Sequence, residues 1–313
     1  MSMRDAARGA CVSRAFARSW RCLPNLDFSE ESLGINRSTC KKDEKLGDLT
    51  SKIDWILKNH SGIGIKKLIV QVGSVYSRDS CHLAHLDSWL QCAVKPGIEE
   101  LIVNLSSMNA KYNFPCELLS SGTGDSLRYI YLASCNFHPT VRIGCLKSLT
   151  RLQLCMVNIT ENELRLCNDA AFYARTELPS SMPNLERLII HSDTEMVNTP
   201  MVPSKFYHLK YLSIALGGQT YDYLSLVSFF DASPFLETFI LNALRERTER
   251  VTVFGDPSGL RMMPEHRHDK LKETLMEAHR ALKAVQTYIK LKVPSKVELN
   301  VLEPCSRCHA LDL

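Results

Sequence analysis

The residue types best suited to chemistry lie near the end of this 313-residue chain, in the string PCSRCH at positions 304–309. The string contains Cys-x-x-Cys-His, which is the attachment spacing of a c-type haem, and its Cys-x-x-Cys half suits a zinc site or a redox pair. A c-type haem also needs a distal ligand and an enclosing apolar pocket, which so short a tail does not build. We therefore expect a packed or solvated tail and no cofactor. The alternative is a structural zinc, which takes four ligands, here Cys305, Cys308, His309 and either His266 or His268.

The rest of the chain offers no pattern typical of an enzyme. We find no nucleophile paired with a base, no P-loop and no Gly-x-Gly-x-x-Gly fingerprint. Histidines and carboxylates are scattered, and scattered polar residues normally lie on the surface. A non-enzymatic protein is predicted.

Composition is that of an ordinary globular chain, with 45% apolar and 23% charged residues. No apolar run approaches the ~18 residues of a membrane span, and no secretory signal follows Met1. We therefore expect an intracellular protein, in the cytoplasm or nucleus, that does not enter a membrane. Its 12 cysteines are then expected to be reduced and mostly buried.

A recurring frame organises the middle of the chain. Leu-x-x-Leu-x-Leu, with Ile, Val or Phe allowed, occurs seven times at intervals of 22 to 36 residues. In the copies LASCNF (132–137) and LCMVNI (154–159), an Asn precedes the last apolar residue. The pattern resembles the leucine-rich repeat, in which a short strand turns alternate residues inward and an Asn or Cys at the next bend satisfies backbone groups. The seven copies begin at Ile65, Ile98, Leu127, Leu149, Leu185, Leu209 and Leu236.

Helical patterns fill several intervals between the frames. Residues 82–94 place four apolar side chains on one face, residues 160–174 begin with a Thr-x-x-Glu capping box, and residues 220–232 follow a Gly-Gly turn. Such units cannot bury their apolar faces alone and must stack on their neighbours. We predict an α/β leucine-rich-repeat solenoid, a curved parallel sheet with helices on its convex side; a doubly wound parallel sheet is the alternative. The apolar face of 82–94 consists of Leu83, Leu86, Trp89 and Leu90.

The frame also predicts which strand residues point into the core, because successive side chains alternate between the two faces of a sheet. Fourteen residues are expected inside: Leu68, Val70, Leu101, Val103, Ile130, Leu132, Leu152, Leu154, Leu188, Ile190, Leu212, Ile214, Phe239 and Leu241.

The alternate strand positions should line the concave face of the solenoid. Tyrosines and arginines meet in its middle rows, and these residue types are enriched at interface hot spots. A protein-binding patch is therefore predicted at Tyr129, Tyr131, Arg151, Arg187 and Tyr211.

The head of the chain is basic. Residues 1–21 hold five arginines and one aspartate, a net charge of +4, which equals the net charge of the whole chain. The remainder therefore sums to zero, so no nucleic-acid-binding surface is predicted. On a helical wheel Val12, Phe16 and Trp20 form a stripe opposite the arginines. Three interpretations of the head remain. It is a terminal helix packed on the solenoid, a transit peptide that would direct the protein to the mitochondrion, or part of a known domain.

That third interpretation comes from a resemblance. ACVSRAFARSW (10–20) resembles the last helix of an F-box, whose closing pattern is Val-Ser-x-x-(Trp/Phe). The segments 209–241 and 297–309 resemble parts of plant F-box/leucine-rich-repeat proteins, especially the large grass family. The closing pattern falls on Val12, Ser13 and Phe16, with Trp20 one turn later.

The resemblance implies the substrate receptor of an SCF-type ubiquitin ligase. Val12, Ser13, Phe16 and Trp20 would contact the Skp-type adaptor, and the repeats would bind an unknown protein substrate. An F-box normally begins with a Leu-Pro-containing helix that this sequence lacks, so weak or no adaptor binding is expected. The stripe should then pack on the first repeat, around Trp55 and Leu57, or remain exposed. A plain leucine-rich-repeat scaffold without a ligase role is the alternative.

The family would also have a further strand after residue 271, whereas residues 272–292 show helical composition and spacing, and we predict a helix there. The expected organisation is a truncated F-box remnant over 1–34 and a linker with an entry helix over 35–64. The solenoid follows over 65–244, and a linker, helix and tail over 245–313.

Overall fold

The computed structural model describes four isolated head residues and twelve ranges of the chain. The chain divides into two compact units, Met1–Leu149 and Thr150–Leu313. The described residues are Met3, Asp5, Arg8 and Cys11, and the ranges 20–35, 42–61, 64–72, 83–105, 112–120, 122–138, 146–159, 170–192, 204–216, 226–243, 273–277 and 298–302.

The described residues of the first unit contain four parallel strands paired in chain order. They are β1 (Asn25–Ser29), β2 (Lys67–Gln71), β3 (Glu100–Asn104) and β4 (Tyr129–Ala133). Two helices, α1 (Lys42–Asn59) and α2 (Leu83–Ala93), connect strands and contact each other. Single 3-10 turns lie at Trp20–Cys22 and Cys116–Leu119.

Where the structure describes the second unit, six strands pair in parallel in the same sequential way. They are β5 (Arg151–Cys155), β6 (Arg187–Ser192), β7 (Tyr211–Leu216), β8 (Thr238–Ala243), β9 (Glu273–Glu277) and β10 (Glu298–Leu302). Its described helices are α3 (Ala170–Thr176), α4 (Leu178–Ser181) and α5 (Val227–Ala232), and α3 packs against β6. Strand, connection and parallel strand recur throughout both units, which is the α/β repeat architecture that the frame predicts.

All fourteen residues predicted to face the core are buried, none with more than 1% of its surface exposed. The prediction of inward positions is therefore confirmed, and the strands are parallel within each unit as expected. Burying a Leu, Ile, Val or Phe side chain contributes about 1.5–3 kcal/mol, so these rows hold neighbouring repeats together.

A shared carbonyl sets the register between successive strands. The carbonyl of Lys66 accepts hydrogen bonds from the backbone N–H groups of Glu99 and Glu100, at 2.7 and 2.9 Å. In the second unit the carbonyl of Thr150 accepts in the same way from Glu186 and Arg187, at 2.9 and 3.0 Å. A slip of one residue would break such pairs and move every inward side chain to the other face, so the register is strongly specified.

Strand β1 was not anticipated by the sequence analysis. It lies inside the range 1–34 assigned to the F-box remnant, and its inward residues Leu26 and Phe28 are buried. The segment Leu23-Pro-Asn-Leu26-Asp-Phe28 matches the repeat frame, which is the signal that could have found it. The parallel sheet thus begins within that range, before the first frame identified at Ile65.

The helix predicted over 272–292 is wrong at Glu273–Glu277, which forms strand β9; the rest of that range lies outside the described residues. Thr and Met stand in β9 at the frame positions that Phe and Leu hold in β8, which hides the pattern from a search for Leu, Ile, Val or Phe. Helix propensity is a weak preference, and pairing with β8 outweighs it here. In that pairing Thr274 lies opposite Phe239 and Met276 lies opposite Leu241.

Helix α2 follows its predicted face at the residues whose side chains are described. Leu86, Trp89 and Leu90 of α2 are buried, and the Trp89 indole donates a hydrogen bond to the Asp54 carboxylate of α1 at 2.7 Å. The side chain of Leu83 and the capping box at 160–163 lie outside the described part of the chain. Among the described helices, none has the length and apolarity needed to cross a bilayer.

The expectation that the cysteines are mostly buried is wrong for the six that the structure describes. None of these six forms a disulfide: Cys116 and Cys135 are buried, Cys155 is half-buried, and Cys11, Cys22 and Cys92 are exposed.

Candidate protein-binding face

The strand residues that alternate with the buried ones form the outward face of each sheet. Parallel register places equivalent residues of successive strands side by side in rows. In the first unit one row runs through Asn25, Lys67, Glu100 and Tyr129, and the next runs through Asp27, Ile69, Ile102 and Tyr131.

The first-unit outward face combines an ion pair with an apolar row. Lys67 Nζ lies 2.8 Å from a carboxylate oxygen of Glu100, and both side chains are about one third exposed. Pairs this accessible to solvent contribute at most about 1 kcal/mol, so their charges stay available to a partner. In the next row Ile69 and Ile102 are half-buried and adjacent, which leaves an apolar strip beside the charges.

A second ion pair joins the residues that immediately precede β2 and β3. Lys66 Nζ is 2.9 Å from the Glu99 carboxylate. The hydrogen bond and positive charge of Lys66 lower the pKa of Glu99, and Arg128 adds a smaller effect of the same sign. Glu99 is therefore ionised under ordinary conditions, and this edge carries alternating charges.

The second-unit outward face carries a stacked cation. The Arg187 guanidinium lies over the Tyr211 ring, 3.7 Å from the ring centroid. Register pairs Arg187 with Tyr211 on one side and with Arg151 on the other. A stacked guanidinium keeps its edge N–H groups directed outward, in the planar fork that suits carboxylates.

A cysteine–histidine pair lies four residues beyond Arg151 and Arg187 on the same strands. Cys155 Sγ is 3.6 Å from His191 Nδ1, and the backbone N–H of Met156 donates to the His191 carbonyl at 2.7 Å. Burial lowers the pKa of His191, so the imidazole is mostly neutral near pH 7. The two residues occupy the same frame position in successive repeats, which is the signal that could have found the pair.

The structure brings together only part of the predicted patch. Arg151, Arg187 and Tyr211 are neighbours on β5, β6 and β7 of the second unit. Tyr129 and Tyr131 are half-buried on β4 of the first unit, at outward positions. A patch joining all five residues stays a prediction.

One of the four F-box positions can be described. Trp20 stacks on Trp55 with ring centroids 5.1 Å apart and 19° between the planes. The prediction that the stripe packs near Trp55 is confirmed for Trp20. Val12, Ser13 and Phe16 lie outside the described residues.

The proposed zinc donors also lie outside the described residues, including Cys305, Cys308 and His309. Within the ranges that are described, no three His, Cys, Asp or Glu side chains come together as metal ligands.

Comparison with known families identifies the repeats. A family model described as At1g61320/AtMIF1, LRR domain, matches residues 56–167, 165–274 and 272–306, which is more than half of the chain. The match contains strands β2 to β10, including the two C-terminal strands that sequence reasoning did not assign. No match was found among curated proteins or solved structures.

Proposed function

Because this chain belongs to the At1g61320/AtMIF1 leucine-rich-repeat domain family, we propose that it is a non-enzymatic module that recognises another protein through its outward strand face. Leucine-rich-repeat domains generally serve as interaction scaffolds, and their stacked repeats present extended binding surfaces. The observation that carries the proposal is the stacked pair of Arg187 and Tyr211 beside Arg151 on the second-unit face.

The chemistry of that face favours a partner with an acidic side chain next to an apolar or aromatic one. Arg187 is exposed and held over the ring of Tyr211, so little side-chain freedom is lost when a carboxylate binds its edge. Ile189, the next outward residue on β6, is half-buried and offers apolar contact beside the cation. Tyr and Arg contacts of this kind often dominate the binding energy of an interface.

The experiment compares proteins captured by the tagged full chain with those captured by an Arg187→Ala/Tyr211→Ala variant. We expect at least one partner of the wild type to be lost from the variant. Lys95→Ala, an exposed substitution in the loop after α2, is the matched control and should retain that partner. An identical set of partners for all three proteins would refute the assignment of this face.

A more specific role than general protein recognition is that of the substrate receptor of an SCF-type ubiquitin ligase. This proposal rests on the resemblance of residues 10–20 to the closing helix of an F-box, which the family match does not include. The plain scaffold is the second candidate, and the stack of Trp20 on Trp55 favours it because one face of Trp20 is already occupied within the chain. A partner would have to use the remaining surface of Trp20 or break the stack.

A pull-down with a Skp-type adaptor separates the two candidates. The chain is tested as it stands and with a Leu-Pro-containing F-box start grafted before Met1. We expect weak or no binding by the first form and stronger binding by the second. Equal strong binding would show that the existing helix suffices, and equal absence would favour the plain scaffold.

A further inference from the structure

A cavity of about 800 Å³ opens in the first unit between the head of the chain, the start of β1 and helix α1. Its volume falls within the ~300–1,000 Å³ typical of small-molecule sites. Its lining includes six large apolar side chains: Trp20, Leu23, Leu26, Leu33, Trp55 and Ile56. The outward strand face already described is not part of it.

The two tryptophans of the cavity wall contact each other. Trp20 and Trp55 are stacked, and Leu23 and Leu26 at the base are buried. Trp55 nevertheless exposes 58% of its surface, which is unusual for so large an apolar side chain. Exposed apolar surface next to a cavity is typical of a binding site, because a bound ligand would remove that surface from water.

Basic side chains line the cavity, and carboxylates lie behind the lining at Asp48, which pairs with Lys52, and at Asp27, which accepts from Ser32. Among its described lining residues, Arg8 and Lys52 are the charged ones and no carboxylate is included. Lys52 Nζ donates to Asp48 at 2.7 Å and to the Leu33 carbonyl at 3.4 Å. An ammonium group has three N–H donors, so one remains for a further acceptor, and the Lys52 side chain is 39% exposed.

We propose that this cavity binds an amphipathic carboxylic acid with a long apolar tail. The tail lies along Trp20 and Trp55, where burial of apolar area favours binding. The carboxylate lies at the mouth, near Arg8 and Lys52. The cavity is not part of the outward strand face. The proposal for the cavity therefore does not depend on whether a protein binds that face.

The test is a fluorescence titration of the full chain with laurate, kept below its micelle-forming concentration. The chain has three tryptophans, of which Trp20 and Trp55 line the cavity and Trp89 is buried in α2. We expect a saturable change in emission that is absent from Trp20→Phe/Trp55→Phe, because that variant retains only Trp89. No saturable change in the wild type, or an equal change in this variant, would overturn the proposal.

A second titration tests the charge. Lys52→Gln should weaken laurate binding about three- to fivefold, as expected for a solvent-accessible ion pair. The same substitution should leave binding of dodecanol, which has the same tail and no charge, unchanged. Lys95→Gln, an exposed lysine outside the cavity, is the matched control. If laurate and dodecanol bind equally to the wild type, the carboxylate assignment is refuted.

A substitution that fills the cavity provides an independent test of the proposal. Ser51 lines it from an exposed position on α1, so Ser51→Trp adds bulk without disturbing the core. Laurate binding should be lost while the circular dichroism spectrum stays that of the wild type. Undiminished binding to this variant would place the ligand elsewhere and overturn the proposal.

Discussion

The guanidinium of Arg187 lies 3.7 Å from the centroid of the Tyr211 ring, a contact between residues on adjacent parallel strands. Both occupy the first outward position of their frame, so the repeat itself makes them neighbours. The contact forms within the chain itself, so the Arg187 cation is already positioned before any partner binds this face.

The stack should be measurable as a coupling energy. Arg187→Gln, Tyr211→Leu and the double variant form a thermodynamic cycle in urea unfolding. We expect a coupling of about 0.5–1 kcal/mol, since an exposed cation–π contact contributes about that much. Strictly additive effects of the two substitutions would show that the contact adds nothing to stability.

Inward and outward strand positions should respond differently to the same charge. Leu188→Asp buries an unpaired carboxylate and should lower the free energy of unfolding by about 3–5 kcal/mol. Ile189→Asp, one residue further on the outward face, should cost much less because water reaches the new charge. Chemical denaturation of both variants measures the difference, and equal losses would contradict the assignment of faces.

Stability should fall in mild acid because of His191. Burial lowers the pKa of this imidazole in the folded state, so the unfolded chain binds a proton more readily. The contribution of His191 to stability is complete above the unfolded pKa of about 6.5 and is lost as the pH falls below it towards the folded value. Unfolding measured at pH 7.5 and 5.5 should therefore show a larger acid loss for the wild type than for His191→Gln.

His208 provides the control for that comparison, because it is exposed and lies just before β7. His208→Gln should keep the acid loss of the wild type. Identical pH dependence in the wild type and His191→Gln would exclude His191 as the source.

Thiol reactivity should divide the cysteines by burial. Burial raises the pKa of Cys116 and of Cys135 to about 12, so almost no thiolate forms at pH 8. Cys22 and Cys92 are exposed and should be alkylated first. Mass spectrometry after timed iodoacetamide treatment gives the order, and the buried pair should react only after denaturant is added. Early labelling of Cys135 would contradict the packing of β4 and the bend that follows it.

For the seven strands that follow the recognised frame, β2 to β8, the amino-acid sequence alone determined which face each residue occupies. Alternation is a local property of extended backbone, so a frame such as Leu185-x-x-Leu188-x-Ile190 assigns its side chains without knowledge of the neighbours. The same frame placed Arg187 and Tyr211 on the outward face and made them candidates for recognition.

Only the tertiary structure decided the relationships that depend on distant parts of the chain. Residues 273–277 have helical composition, but an available strand edge on β8 makes them a strand. The sequence left Trp20 either packed near Trp55 or exposed; the stack that forms, and the cavity beside it, depend on how the head meets α1. The pairing of Cys155 with His191 requires that β5 and β6 be adjacent. Each of these contacts joins residues that are remote along the chain, and local periodicity carries no information on which remote segments pack together.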